Sequence, residues 1–361
     1  MTRQNWGAQA SKMEKAKRLK GVKDLAPSSP EYAAMKRVLV TPDEDQEIEM
    51  AISGLTQEDE FAVMCHLMQT ATHLIQLGQA PIIKGDFIVP DFMASFQPGV
   101  TLAGRSRDES SGFRCMVDVK STTEKKYHIG GSMLKRRRNC AREFGLPLVL
   151  AVRFLEFPQH AGWVMVDASD EAQTSLTITW ERDLSLDIVN ILWDNYIYTL
   201  CPTLYIQRVY DTNAPAVGVS HVEYGNQQEI KVCTPDKIRS YPASHAIMLG
   251  SFLRCFNLHE VEVEKRGTTT IQTVKPILGF AFLSDVVNRF QHLVVDEEGN
   301  IDYNPSKILA VIDQDVDSEL VHRSIVEKVA DKLLSEEFLF LKWVGGEQQH
   351  LDQWRRLGGR D

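Results

Sequence analysis

Several large classes of protein are excluded by what this sequence does not contain. Its six cysteines (Cys65, Cys115, Cys140, Cys201, Cys233 and Cys255) are scattered through 361 residues without a C-x-x-C pair. That argues against a zinc site or a disulfide framework and points to reduced thiols in a cytoplasmic protein. No run of eighteen apolar residues occurs, and the basic, polar first residues carry no apolar h-region, so neither a membrane span nor a secretory signal is expected. The patterns G-x-x-x-x-G-K-[ST], G-x-G-x-x-G and H-E-x-x-H are missing, which leaves an ATPase, a dinucleotide enzyme or a zincin without a basis. Asp313, Asp315 and Asp317 have the odd spacing of a calcium loop, but Ser318 stands where that loop needs glycine and Ser324 where it needs a bidentate glutamate. Positive charge is in deficit, 40 Lys+Arg against 49 Asp+Glu for a net −9. That argues against a protein coated in nucleic acid but does not exclude a local basic groove.

The remaining composition is that of a globular chain with a real core, long enough for two domains. Its most informative stretch is 86–120. Phe113, Cys115, Val117 and Val119 alternate with Arg114, Met116, Asp118 and Lys120. This period-two pattern predicts a strand with one apolar face and with Asp118 and Lys120 on the other. An earlier run ends in Val89-Pro90-Asp91-Phe92, where proline limits ladder pairing. If the two runs pair as a hairpin, Asp91, Asp118 and Lys120 converge at one end of a sheet. Two carboxylates and a lysine at one point suit a hard divalent ion and an attacking water.

The flanking segments give this stretch its setting. Thr56 reads as an N-cap, with Glu58, Asp59 and Glu60 in a first helical turn. Phe61, Met64, Cys65, Met68, Ala71, Leu74 and Ile75 then keep helical spacing up to a stop at Gly78. Past Lys120, a helix is expected from Ser132 to Phe144, closed by Gly145. It carries Lys135, Arg136, Arg137, Arg138 and Arg142, which with Lys125 and Lys126 form the densest basic stretch of the chain. A one-signed surface of this kind fits a polyanion such as nucleic acid. Two strands follow, a doubly buried one at Leu146–Phe154 and another at Gly162–Val166.

Asp-x-Lys and Glu-x-Lys triplets occur three times and Pro-Asp three times, so the flanking elements decide which copies matter. Pro90-Asp91, a spacer and then Asp118-Val119-Lys120 resembles the PD-(D/E)XK nuclease superfamily, and the resemblance spans about residues 55–168. It implies an α/β fold: a restriction-endonuclease-like αβββαβ core with a mixed sheet flanked by helices, whose first strand is the Pro81–Ile83 run or shares a bend with Phe87–Val89. It further implies a metal-dependent endodeoxyribonuclease using Mg²⁺, or Mn²⁺ in its place. Asp91 and Asp118 would hold the metal with the Val119 carbonyl, Lys120 would position the attacking water, and Glu60, or else Glu58, would complete the metal shell. Lys125, Lys126, Lys135, Arg136, Arg137, Arg138 and Arg142 would hold DNA. Such nucleases serve bacterial or phage defence and mobile elements, and double-strand cutting suggests a homodimer. The alternative is a catalytically inactive nuclease-fold subunit that binds nucleic acid or a partner ATPase or helicase.

Three regions are expected: a basic N-terminal arm and linker (1–54), the nuclease-like domain (55–170) and an α+β substrate- or partner-recognition domain (171–361). In the last, strands are expected at 176–180 and 204–210, a helix at 184–198, a turn-rich segment at 211–245, a helix at 246–258, an edge strand at 260–264 and helical patterns at 280–294 and 305–340.

Overall fold

A computed structural model describes residues 12–25, 30–78, 86–97, 112–155, 162–180, 188–216, 219–291, 304–313 and 320–342. The chain begins with helices α1 (Lys12–Leu25) and α2 (Pro30–Leu39), a 3₁₀ turn at Pro42–Glu44, and the long helix α3 (Asp45–Met68). The stretch expected to be arm and linker thus holds α1, α2 and the start of α3. Glu44 accepts from the Thr41 backbone N–H at 3.3 Å and from its hydroxyl at 3.1 Å. Asp45 and Glu47 then lie in the first turn, where the helix dipole favours negative charge. Thr56 is consequently a mid-helix residue, its hydroxyl donating back to the Ile52 carbonyl at 3.2 Å. The helix also ends earlier than its apolar spacing predicts, because Gln69 turns left-handed at φ 57°. Ala71, Leu74 and Ile75 therefore belong to strand β1 (Ala71–Gln76).

The basic N-terminal segment is, from residue 12, a helix docked on α3 rather than an arm; residues 1–11 lie outside the described residues. Ala16 and Leu19 are buried with Ile48, Ile52 and Leu55 of α3. Around this small core, Lys15 pairs with Glu44 at 2.9 Å and Lys23 with Glu49 at 3.1 Å. Lys20 pairs with Asp59 and also donates to Ser306 of helix α8 (Pro305–Asp313). Lys20 is only 8% exposed, so Lys20→Met is expected to cost about 2 kcal/mol, the worth of a charged hydrogen bond. A lower urea midpoint at unchanged slope is the readout.

Beyond β1 come β2 (Phe92–Phe96), β3 (Phe113–Thr122), β4 (Lys126–Ile129), helix α4 (Gly131–Glu143), β5 (Leu148–Phe154), β6 (Trp163–Asp167) and β7 (Leu176–Thr179). Five of the strands form one sheet in the order β1-β2-β3-β5-β6. It is mixed: β3 and β5 run parallel, while the other neighbours are antiparallel. The parallel pair needs a crossover, which α4 supplies. From α3 to β5 the principal elements follow in the order α, β, β, β, α, β, with the short strand β4 inserted between β3 and α4. The Phe87–Val89 segment is not a strand, and residues 79–85 lie outside the described residues. Strand β4 leaves the sheet to pair with β7.

The alternation along β3 sets the two layers. Phe113, Cys115, Val117 and Val119 join Phe61, Met64 and Met68 of α3 in one buried cluster. On the opposite face, Met116 packs with Leu150, Val152 and the α4 residues Leu134, Cys140 and Ala141. The polar-looking face of β3 is thus covered by a helix, so Asp118 and its neighbours are interior groups.

The second half contributes a short helix α5 (Val189–Leu192), β8 (Ile197–Leu200), β9 (Tyr205–Asp211), β10 (Ser220–His221), β11 (Gly225–Thr234), β12 (Lys237–Pro242) and α6 (Ala243–Arg254). After these come β13 (Leu258–Arg266), β14 (Thr269–Pro276), β15 (Phe280–Phe282), α7 (Leu283–Gln291), helix α9 (Arg323–Leu334) and β16 (Leu339–Lys342). They form a six-stranded antiparallel sheet, β10-β11-β9-β14-β13 with β12 on β11, and a three-stranded sheet β15-β8-β16. The segment read as turn-rich holds three of these strands, since Pro235-Asp236 is the tight turn between the paired Thr234 and Lys237. The expected helix at 184–198 is reduced to α5, its end being strand β8, while 181–187 lie outside the described residues. Strand β13 does lie at the sheet's edge, with a bulge between Glu260 and Glu262. The buried cluster under β3 runs on through Trp163 and Trp193 to Tyr198, Phe252 and Phe290, so both halves share one core.

Candidate active site

The β2–β3 register aligns Phe92 with Val117, and its continuation puts Asp91 opposite Asp118. Pro90 comes just before, where the ladder has ended and no N–H is needed. Both carboxylates are buried, Asp91 at 3% and Asp118 at 1% exposure. Asp91 Oδ2 accepts the Val119 N–H at 2.6 Å. Lys120 reaches back over its own strand, with Nζ 2.6 Å from the Val119 carbonyl, 3.1 Å from Asp118 Oδ1 and 3.5 Å from Asp91 Oδ2. The structure thus brings Asp91, Asp118, Val119 and Lys120 together, with a cation ringed by three oxygens. Burial pulls the Lys120 ammonium towards neutrality, but Asp118 and Asp91 outweigh it and hold its pKa above the ordinary lysine value. The side chain is still 24% exposed, so the cluster opens to solvent through the lysine.

Arg137 of α4 fixes the other oxygen of Asp118, Nε to Oδ2 at 2.6 Å, and also donates to the Met133 carbonyl. Its role could not be read from the sequence, where it is one cation in a basic run. Tyr127 of β4 borders the cluster, and burial raises its phenol while the nearby Lys120 charge acts in the opposite sense.

The expectation for Glu60 is corrected. Its carboxylate is held by Arg153 of β5, with Nε 3.2 Å from both oxygens, and both residues are buried. It is Glu58 that belongs with the Asp91 cluster. Burial foremost, then the Asp91 charge, push the Glu58 carboxyl up to about 7, against the pull of Lys120 and of Lys17 on α1. Gln76, at the end of β1, donates to Glu58 at 3.4 Å. Because α3 starts at Asp45, neither glutamate lies in a first turn, and a dipole no longer explains these buried charges.

The basic residues divide in a way that charge counting could not show. Lys125, Lys126, Lys135 and Arg142 are exposed. Arg136 is partly buried beside Asp86 at 3.4 Å. Arg137 and Arg138 are 6% and 9% exposed. Arg137 serves Asp118, whereas Arg138 donates to the Ala168 and Gln173 carbonyls at 2.5 and 2.6 Å. Of the residues expected to hold DNA, Arg137 is thus committed to Asp118 and Arg138 is buried against backbone carbonyls.

Among the described residues, no three His, Cys, Asp or Glu side chains converge as a complete metal cage. The oxygens of Asp91, Asp118 and Val119 form a partial set of hard donors around a position already holding positive charge. Such a set fits Mg²⁺, which keeps waters and takes phosphate oxygens for the rest of its shell.

No protein-family model matches the chain, and no curated protein matches it in sequence. Among solved structures, the chain is similar to the 1.6 Å structure of Archaeoglobus fulgidus Hjc, a Holliday junction resolvase from an archaeal hyperthermophile. The alignment covers 35% of this chain and 84% of that one, at 18% identity and a TM-score of 0.23. A likeness this slight carries no argument.

Proposed function

We propose that the chain is a metal-dependent endonuclease of the PD-(D/E)XK type that hydrolyses DNA phosphodiester bonds. The observation that supports this reading best is the cation cradle: two buried aspartates, one just before β2 and one within β3, and one backbone carbonyl surround the Lys120 ammonium. The α, β, β, β, α, β order of the principal elements is the one that the superfamily's core uses. Asp91, Asp118 and the Val119 carbonyl would hold Mg²⁺ or Mn²⁺, and Glu58 takes the place expected of Glu60. When bound, the ion supplies Lewis-acid stabilisation of charge on the phosphoryl and leaving oxygens.

The chain's own groups do the rest. With its pKa raised, Lys120 stays an ammonium at neutral pH, so it orients the attacking water and faces developing negative charge; it does not take a proton. The Glu58 carboxyl, raised to about 7 in the metal-free protein by burial and the Asp91 charge, would give up its proton on joining the metal shell. Arg137 holds Asp118 in one rotamer, so the carboxylate is in place before substrate arrives. Exposed Lys125, Lys126 and Lys135 offer charges to the nucleic-acid backbone.

Supercoiled plasmid incubated with the purified protein and Mg²⁺ should be converted to nicked and linear forms, with EDTA abolishing the conversion. Salt-dependent DNA binding with no cleavage in Mg²⁺ or Mn²⁺ would instead favour an inactive nuclease-fold subunit.

A further inference from the structure

Arg137 and Arg138 are neighbours on α4 that serve different places. Arg137 bonds to Asp118, while Arg138 turns to the segment that follows β6. There a groove of ≈ 440 Å³ is lined by Gly131, Lys135, Arg138, Arg142, Glu171 and Gln173. It shares Arg138, Arg142 and Glu171 with a second hollow of ≈ 240 Å³.

Three features make this groove complementary to an anion. It runs along the flank of the 13-residue helix α4, from Gly131 in the first turn to Arg142 in the last, and the N-cap, Gly130, supplies no side-chain cap, so at one end of the groove the positive end of the helix dipole is uncompensated by its own cap. A side chain at Gly131 would place its Cβ 2.4 Å from the Thr174 carbonyl oxygen, so glycine is what lets the helix start so close to that segment. Arg138, nine-tenths buried, bonds only to carbonyl oxygens, and its Nη2 is buried without a hydrogen-bond partner among the described residues. Burial lowers its pKa, although Asp170, Glu171 and Asp167 act in the other sense at longer range.

The lining carries three cations, Lys135, Arg138 and Arg142, against the single carboxylate of Glu171. Lys135 is exposed and has no ion pair among the described residues. Arg142 and Glu171 pair at 2.8 Å with both side chains more than half exposed, at 61% and 72%. Such a pair is weak enough for a doubly bonded anion to displace.

We propose that this groove is a phosphate site that holds a backbone phosphodiester of a bound nucleic acid, separate from the phosphate that is cleaved. The phosphate chemistry stands on the groove itself; only the identity of its carrier rests on the nuclease reading. Helix α4 would then tie the two places together, Arg137 at the aspartates and Arg138 in the floor of the groove.

The test is a salt series of equilibrium binding to a short labelled duplex in EDTA, comparing wild type with a Lys135→Ala, Arg142→Ala double variant. Both residues are exposed, and an unchanged melting temperature checks that the variant folds. The slope of log affinity against log salt should fall by roughly 1 to 2 in the variant, since each lost phosphate contact is worth about 0.9. An unchanged slope overturns the proposal. Inorganic phosphate added to both proteins gives the second arm. If it raises the melting temperature of wild type alone while the DNA slope stays the same, the groove is a small-anion site and the nucleic-acid assignment fails. Should wild type bind DNA with the expected slope difference yet never cleave, the nuclease reading falls and the groove stands.

Discussion

Lys120→Ala is expected to slow Mg²⁺-dependent plasmid cleavage by about 10³-fold, the scale seen when one preorganised charge donor is removed from a reaction centre. Arg137, the guanidinium beside the same aspartates, is committed to Asp118 on its buried side and is not placed to substitute for it. The same substitution has a second consequence that a merely structural lysine would not produce. Lys120 sits among Asp91 Oδ2, Asp118 Oδ1 and the Val119 carbonyl, the oxygens assigned to the metal, so ammonium and Mg²⁺ compete for them. Without the lysine, two buried carboxylates face one another with less compensation, and the metal-free variant should melt lower than wild type. Added Mg²⁺ should then raise its melting temperature by more than it raises that of wild type, because a ligand stabilises in proportion to its affinity for the folded state. Undiminished cleavage by Lys120→Ala would reject the catalytic assignment. Equal Mg²⁺ shifts in the two proteins would reject the shared oxygen set.

How much of this cluster the sequence disclosed follows from which periodicity each residue obeys. Asp91, Asp118 and Lys120 lie on or beside strands whose two-residue repeat is clean, and an antiparallel pair leaves little freedom about which ends meet. Glu58 and Glu60 lie on a helix, where two positions differ by about 200° of rotation, so an error in the helix's start changes what each is thought to do. That error came from Thr56, a good N-cap by type but here within α3, whose earlier apolar positions Ile48, Ile52 and Leu55 meet α1 instead of the main core. The β1 strand was hidden for a related reason: Ala71, Leu74 and Ile75 fit a helical spacing, and a single left-handed residue at Gln69 ends it. Arg137 and Arg138 show the limit of counting charge. Composition reveals a basic helix, but only partners show which guanidinium is spent on a carboxylate and which on carbonyl oxygens.

Glu58→Gln is expected to make the metal-free protein more stable at pH 8 and to change it little near pH 4. The folded carboxyl titrates at about 7 against an ordinary value of 4.5, through burial first and the Asp91 charge second. A raised carboxyl binds its proton more tightly in the folded chain than in the unfolded one. Its contribution is therefore fully present below pH 4.5 and lost as pH rises through 7, beyond which the group costs about 3 kcal/mol. Glutamine keeps the shape of the neutral acid and can still meet Gln76, so it removes that cost and should raise the melting temperature by about 4 °C for a chain of this size. Glu60→Gln is the contrasting variant. It strips the charge from the buried partner of Arg153, leaving a guanidinium without its counter-ion, and should destabilise by about 3 kcal/mol or more at neutral pH. Thermal melts in EDTA at both pH values separate the two glutamates. If Glu58→Gln shows the same difference from wild type at pH 4 and pH 8, the folded Glu58 carboxyl is not raised by burial and the Asp91 charge. If it gains stability at pH 8 while losing cleavage, the cost carried by Glu58 belongs to the reaction rather than to the fold, as expected of a strained active site.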